Sequence, residues 1–259
     1  MKKTLITLVF FGCISLLSGC TFIEDIIESQ NTIETSESKV LTASELQAQM
    51  MDTRTLIRAA NVGVSVDQYR VVAGRFERMA GTNRGSAVVF HEDEEHYYAL
   101  TNFHVIDPRD FNRVDVTVVP TYVDVTVLAT VLETDEALDL AILRFPKGDL
   151  DLPLIPLTER EFQPPISGEM VFAVGNPSAV SSTVSFGEYI RMSRIDEVDF
   201  AVLLHSALIF PGNSGGALTD IHGNLLGINT WASATTNERN LAIPLREVLR
   251  FLREHGYLA

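Results

Sequence analysis

The chain has 259 residues, with 20 Lys and Arg against 34 Asp and Glu, and a formal net charge of −14 at pH 7. That balance excludes a role that depends on neutralising phosphates, so nucleic acid is not an expected partner. Two cysteines, Cys13 and Cys20, are too few for a disulfide framework. No Gly-rich phosphate loop, cysteine cluster or cofactor motif is present, so neither a cofactor nor a metal is expected.

The first residues read as targeting signal rather than fold. "MKK" is basic, and "TLITLVFFGCISLL" is an apolar run too short, and too soon followed by polar residues, to be a good membrane span. "LSGC", Leu17 to Cys20, then resembles a bacterial lipoprotein signal, cut just before a cysteine that takes lipid. The plain alternative is an ordinary secretory signal with a chance cysteine. The small residues before Cys20 and the acidic, polar segment after it favour the lipoprotein reading. On that reading residues 1–19 are a signal peptide, Cys13 is removed with it, and Cys20 is lipidated. The chain then sits in the cell envelope, held by lipid on the extracytoplasmic face of a bacterial membrane. No intramolecular disulfide remains, so stability rests on an apolar core. Removing Lys2 and Lys3 leaves 18 basic against 34 acidic residues, which argues against anionic headgroups as a second anchor.

Residues 20–41 are the lipidated cysteine and a tether rich in Ser, Thr, Gln and Asn; about 20 flexible residues reach roughly 25 Å. Thr42 followed by Glu45 is a capping-box pattern, and Leu46, Met50, Leu56 and Ile57 place an apolar stripe on the helix it opens. From Val62 to Pro244 short runs rich in Val, Thr, Phe and Tyr alternate with turn residues, among them "GSAVVF", "HYYALTNF", "VDVTVLATVL", "LAILRF", "MVFAVG" and "NLLGINTW". This spacing predicts an all-β sandwich or pair of barrels. "LREVLRFLREHG" closes the chain as a helix stopped by Gly256.

"HEDEEH", His91 to His96, is not HExxH and lies between two strands, so it reads as an acidic hairpin tip rather than a metal site. His104 stands where the apolar run "ALTNF" ends, and Asp139 stands flush against "LAILRF", where a buried carboxylate needs a partner. His205 is read as strand packing ahead of cleft lining, and His222 as a turn residue. "GNSGG" around Ser214 fits G-x-S-x-G, but two strands joined by "DIHGN" follow it, and no helix. The nucleophile elbow of an α/β-hydrolase is therefore excluded. A serine hydroxyl needs a base within reach, and the base needs an acid. His104, Asp139 and Ser214 come in the chain order of the chymotrypsin architecture.

"LTNFHVID", "LDLAIL", "VGNP", "PGNSGGAL", "GINT" and "LAIPL" together resemble the trypsin-like serine proteases, most closely the protease domain of the HtrA/Deg group, over roughly Val62 to Leu245. The resemblance implies an all-β fold of two six-stranded antiparallel β-barrels, chymotrypsin-like, here with an N-terminal and a C-terminal helix within residues 42–259. It implies His104 as general base, Asp139 as its orienter and Ser214 as nucleophile. The N–H groups of Gly212 and Ser214 would form the oxyanion hole. Leu208 falls at the base of the primary pocket. With no acid in "LIFPGN", that pocket should favour small or medium aliphatic side chains. Trp231 has two even readings, pocket wall and core packing. Asn213 stands where digestive relatives carry an aspartate, so the oxyanion loop must be set by local packing or by substrate. The chain ends 15 residues after Pro244, which leaves no room for the PDZ domain usual in that group. Polypeptides are the implied substrates, and the oligomeric state is left open. A catalytically silent binding module on the same fold is the rival reading; its mark would be a lost triad member, and none is lost.

Overall fold

The computed structural model describes residues 42–72, 76–177, 182–232 and 240–259. The signal peptide, Cys20 and the tether lie outside the described residues.

Helix α1 (Ala43–Ala59) opens as its sequence predicts. The Thr42 hydroxyl accepts from the Glu45 N–H while the Glu45 carboxylate takes the Thr42 N–H, a complete capping box. Among the described residues, twelve strands follow. β1 (Asn61–Val72), β2 (Phe76–Glu92), β3 (His96–Thr101), β4 (Arg113–Pro120), β5 (Val127–Asp135) and β6 (Leu140–Pro146) close into one antiparallel barrel in the order β1-β2-β3-β6-β5-β4. β7 (Met170–Gly175), β8 (Thr183–Arg194), β9 (Ala201–His205), β10 (Ala217–Thr219), β11 (Leu225–Ala232) and β12 (Asn240–Pro244) close the second in the order β10-β11-β12-β9-β8-β7. A one-turn helix α2 (Phe103–Ile106) follows β3, and α3 (Leu245–Glu254) follows β12. The run "VDVTV" continues the strand alternation in sequence, yet β5 begins only at Val127, and Tyr122, Val123 and Val125 are exposed in the β4–β5 connection.

Alternation along the strands explains the packing. In β6, Ala141, Leu143 and Phe145 fill the first barrel with Val62, Val64, Ala87 and Val89. Their neighbours Leu140 and Ile142 point the other way, into a second cluster with Val88, Leu100, Phe172, Val174, Ile228 and Ile243. This cluster draws from both barrels and takes in Ile57 of α1 and Val248, Phe251 and Leu252 of α3. "LAIL", Leu140 to Leu143, is apolar without a break because both its faces are buried. The second barrel has its own interior of Val171, Ala173, Leu203, Leu218 and Ala242. The barrels thus meet along an apolar seam.

Candidate active site

His104 stands on α2, not at the end of a strand as the sequence suggested. β3 stops at Thr101, and the buried side chains of Val105 and Ile106 pin one helical turn to the barrel. The Asn83 amide donates to the Val105 carbonyl (2.9 Å), covering the turn's open end. Pro108 disfavours helix at Asp107, whose φ of −51° and ψ of 116° leave the helical region. The His104 side chain is 42% exposed, so one edge of the ring faces solvent.

Its other edge faces Asp139. The carboxylate oxygens lie 3.0 and 2.9 Å from His104 Nδ1, and Oδ1 also accepts from the His104 backbone N–H at 2.9 Å. Oδ2 accepts from Thr230 Oγ1 at 2.7 Å, and the Asn102 amide donates to the Asp139 carbonyl at 2.9 Å. Asp139 is 4% exposed, so these donors replace the water it has lost. A carboxylate can only accept, so the imidazole proton sits on Nδ1 and Nε2 keeps its lone pair. Asp139 has φ +54°, the left-handed region, after a turn in which its N–H donates to the Glu136 carbonyl.

Ser214 lies on the loop between β9 and β10. The Asn213 N–H donates to the Phe210 carbonyl (2.9 Å), closing a turn with Pro211 second and Gly212 third at φ +96°, the pattern of a type II turn. A Cβ on Gly212 would lie 2.7 Å from Pro177 Cα, so this position requires glycine twice over. The carbonyls of the loop are held: Gly212 by Ser86 Oγ (2.7 Å), Asn213 by the Gly216 N–H (3.0 Å) and Ser214 by the Ser86 N–H (2.8 Å). The N–H groups of Gly212 and Ser214 have no acceptor among the described residues. Ser214 Oγ donates to the Thr230 carbonyl at 2.9 Å. Among the described residues no hydrogen bond joins Ser214 Oγ to the His104 ring.

Leu208 is 52% exposed, and its carbonyl accepts from Ser185 Oγ (2.6 Å). Trp231 packs against Val202, Leu204 and Leu241. "HEDEEH" forms a hairpin tip in which the Asp93 carboxylate takes the Tyr98 hydroxyl (2.6 Å) and the N–H groups of Glu95 and His96 (2.8 and 2.7 Å). The Tyr98 bond first, then the backbone donors, hold Asp93 well below the usual carboxylate range.

His205 is fully buried on β9, opposite Tyr189 of β8 and Asn240 of β12, and neither ring nitrogen has a partner among the described residues. Burial pushes its pKa down from 6.5 to about 4, against a smaller opposing contribution from the Ala207 backbone. The unfolded chain therefore takes up this proton first as the pH falls. The contribution of a neutral His205 to stability is whole above the unfolded value and declines as pH falls from about 6.5 towards 4. Thermal melts between pH 7 and 5 are expected to show a falling melting temperature in the wild type. His205→Leu should show a shallower fall; parallel curves would assign the loss to other groups.

The sequence points to His104, Asp139 and Ser214 as candidates but not to Thr230, Asn102 or Ser86. Each lies inside a quoted motif, "GINT", "LTNFH" and "GSAVVF", but what each does depends on a partner 91, 37 or 126 positions away.

A family model described as trypsin-like peptidase domain matches residues 85–228, which take in His104, Asp139 and Ser214. The chain is similar to serine protease HTRA1 of Xenopus laevis, at 29% identity over 74% of this chain and 40% of that protein. It is similar to the putative serine protease HhoA of Synechocystis, at 32% identity over 67% of this chain and 43% of that protein. It thus spans less than half the length of these curated relatives. Among solved structures, the serine endoprotease from Yersinia pestis superposes with a TM-score of 0.62 at 29% identity, covering 83% of this chain and 67% of that one. The active form of the Rv3671c protease from M. tuberculosis shares the fold, with a TM-score of 0.63 at 24% identity over 80% of this chain and 85% of that one.

Proposed function

Because this chain belongs to the trypsin-like peptidase family, we propose that it is a serine endopeptidase of HtrA type that cleaves polypeptides through Ser214, His104 and Asp139. The observation that carries the reading is the buried Asp139 carboxylate, bound at once to His104 Nδ1, the His104 N–H and the Thr230 hydroxyl. A buried carboxylate with that set of donors fixes the tautomer in which Nε2 is the base.

The chemistry follows from the positions. Ser214 Oγ leaves the Thr230 carbonyl by rotation about χ1 and gives its proton to His104 Nε2 as it attacks the scissile carbonyl carbon. The C–O bond to serine forms while the carbonyl π pair moves onto oxygen, where the N–H groups of Gly212 and Ser214 receive it. The imidazolium faces Asp139. It then protonates the leaving amine as the C–N bond breaks, which leaves an acyl-Ser214. A water deprotonated by His104 attacks the acyl carbon, and the departing Ser214 Oγ takes the proton back.

The primary pocket is apolar, bordered by Leu208 and by the chain at Trp231. Support comes from the segment Leu208–Asn213, which carries no acid to receive a Lys or Arg side chain. The chain is held on the extracytoplasmic face of a bacterial membrane by lipid on Cys20, a reading supported by "LSGC".

A fluorophosphonate probe tests the proposal. Purified protein is expected to take the label on Ser214, and Ser214→Ala to take none. Equal labelling of the two would falsify the assignment of the nucleophile. Metabolic labelling with an alkyne fatty acid, lost on Cys20→Ala, tests the anchor separately.

A further inference from the structure

We propose that Ser86, on a strand of the first barrel, is a positioning residue for the oxyanion hole carried by the second. The inference rests on the protease reading above.

Ser86 is fully buried on β2 and makes four hydrogen bonds to three segments, two of them to the loop that carries Ser214. Its N–H donates to the Ser214 carbonyl (2.8 Å). Its hydroxyl donates to the Gly212 carbonyl (2.7 Å) and accepts from the Asn176 N–H (2.7 Å). Its carbonyl accepts from Thr101 Oγ1 (2.7 Å), one residue before Asn102, which holds Asp139. The direction of the hydroxyl proton is not open to choice. A backbone N–H can only donate and a carbonyl can only accept, so the proton must lie on the Gly212 side.

The consequence for the hole comes from counting carbonyls. Three follow one another around the nucleophile, at Gly212, Asn213 and Ser214. Ser86 holds the first and third, and the Gly216 N–H holds the second. Each is turned towards a donor, so none is free to swing its negative end into the space where the substrate oxyanion develops. Among the described residues, the N–H groups of Gly212 and Ser214 are left without a competing acceptor. The position before the nucleophile is Asn213, buried and packed against Gly175, so no carboxylate is there to organise the loop through an ion pair. Ser86 organises it from the other barrel, before any substrate arrives.

The test compares wild type, Ser86→Ala and Ser86→Thr. Ser86→Ala keeps the backbone bond to Ser214 but takes the Ser86 hydroxyl from the part-buried Gly212 carbonyl and the buried Asn176 N–H. Its kcat and its rate of fluorophosphonate labelling are expected to fall about 10- to 100-fold, with KM on a peptide substrate within about twofold. Affinity for a peptide boronate, which engages the hole, should fall by a similar factor, and affinity for a product peptide should hold. Ser86→Thr restores the hydroxyl and should recover most of the labelling rate. Where Ser86→Ala does not fold, Ser86→Cys, a weak donor of similar volume, is expected to show the same split between kcat and KM. A lower melting temperature with kcat and labelling at the wild-type level would overturn the proposal, as would equal losses in boronate and product affinity. If the wild type itself takes no label, the failure lies in the protease reading, and the role of Ser86 falls with it.

Discussion

His104→Ala is expected to lower kcat on a peptide substrate about a million-fold, and Asp139→Asn about ten-thousand-fold, with KM little changed in both. The two losses differ for a structural reason. Without the imidazole the Ser214 hydroxyl has no base within reach. In Asp139→Asn the imidazole stays, but the residue beside it now presents an amide. The carboxylate accepts from His104 Nδ1, from the His104 N–H and from Thr230 Oγ1. An amide has one accepting oxygen for these donors, and its nitrogen only donates. Facing that N–H, the ring gains by moving its proton to Nε2, the atom that must be empty to act as base. The measurement is a progress curve with active sites titrated by the fluorophosphonate. An Asp139→Asn enzyme within tenfold of wild type would mean that the tautomer is set by something other than Asp139.

Gly215→Ala should cost about 4 kcal/mol or more, or prevent folding, although it adds a single methyl group. Gly215 has φ +87°, and a Cβ there would stand 2.0 Å from the Ser86 carbonyl oxygen and 2.5 Å from Thr101 Oγ1. Neither atom can yield cheaply. The Ser86 carbonyl belongs to a ladder strand, and Thr101 Oγ1 donates to that same carbonyl. The methyl group has to push the nucleophile loop away from the first barrel, breaking the Ser86–Ser214 backbone bond. Chemical denaturation checks the magnitude. A loss of about 1 kcal/mol, the size of a positive-φ penalty alone, would show that the loop relaxes without parting from β2.

How much of this was legible in the sequence depends on the range over which each feature is decided. The strands of the first barrel announce themselves because alternation is local, and the capping box at Thr42 and Glu45 does so because its two partners are three residues apart. His104 shows the limit. "ALTNFHVID" reads as a strand running into a loop, but the chain needs a turn there to bury Val105 and Ile106, and that demand comes from the barrel rather than from the segment. The proposed triad was legible as residue types in order, since a candidate nucleophile, base and acid can be told by their chemistry. Thr230 and Ser86 were not. A threonine on a strand and a serine on a strand are ordinary, and only closure of two barrels against one another brings Thr230 to Asp139 and Ser86 to Gly212. "GNSGG" taken alone pointed to the wrong fold, and what followed it in the chain corrected the reading.

The backbone at Asp139 carries one more consequence. Its φ of +54° admits glycine, and among residues with side chains it favours those with a short polar group, asparagine, aspartate and histidine. The donors around it demand a carboxylate. Glutamate has the charge but not the ease in that conformation, while asparagine has the ease but not the charge. Two independent filters, one conformational and one electrostatic, are passed together by a single amino acid. A saturation library at position 139 should therefore reject glutamate as well as asparagine, although each keeps one of the two properties.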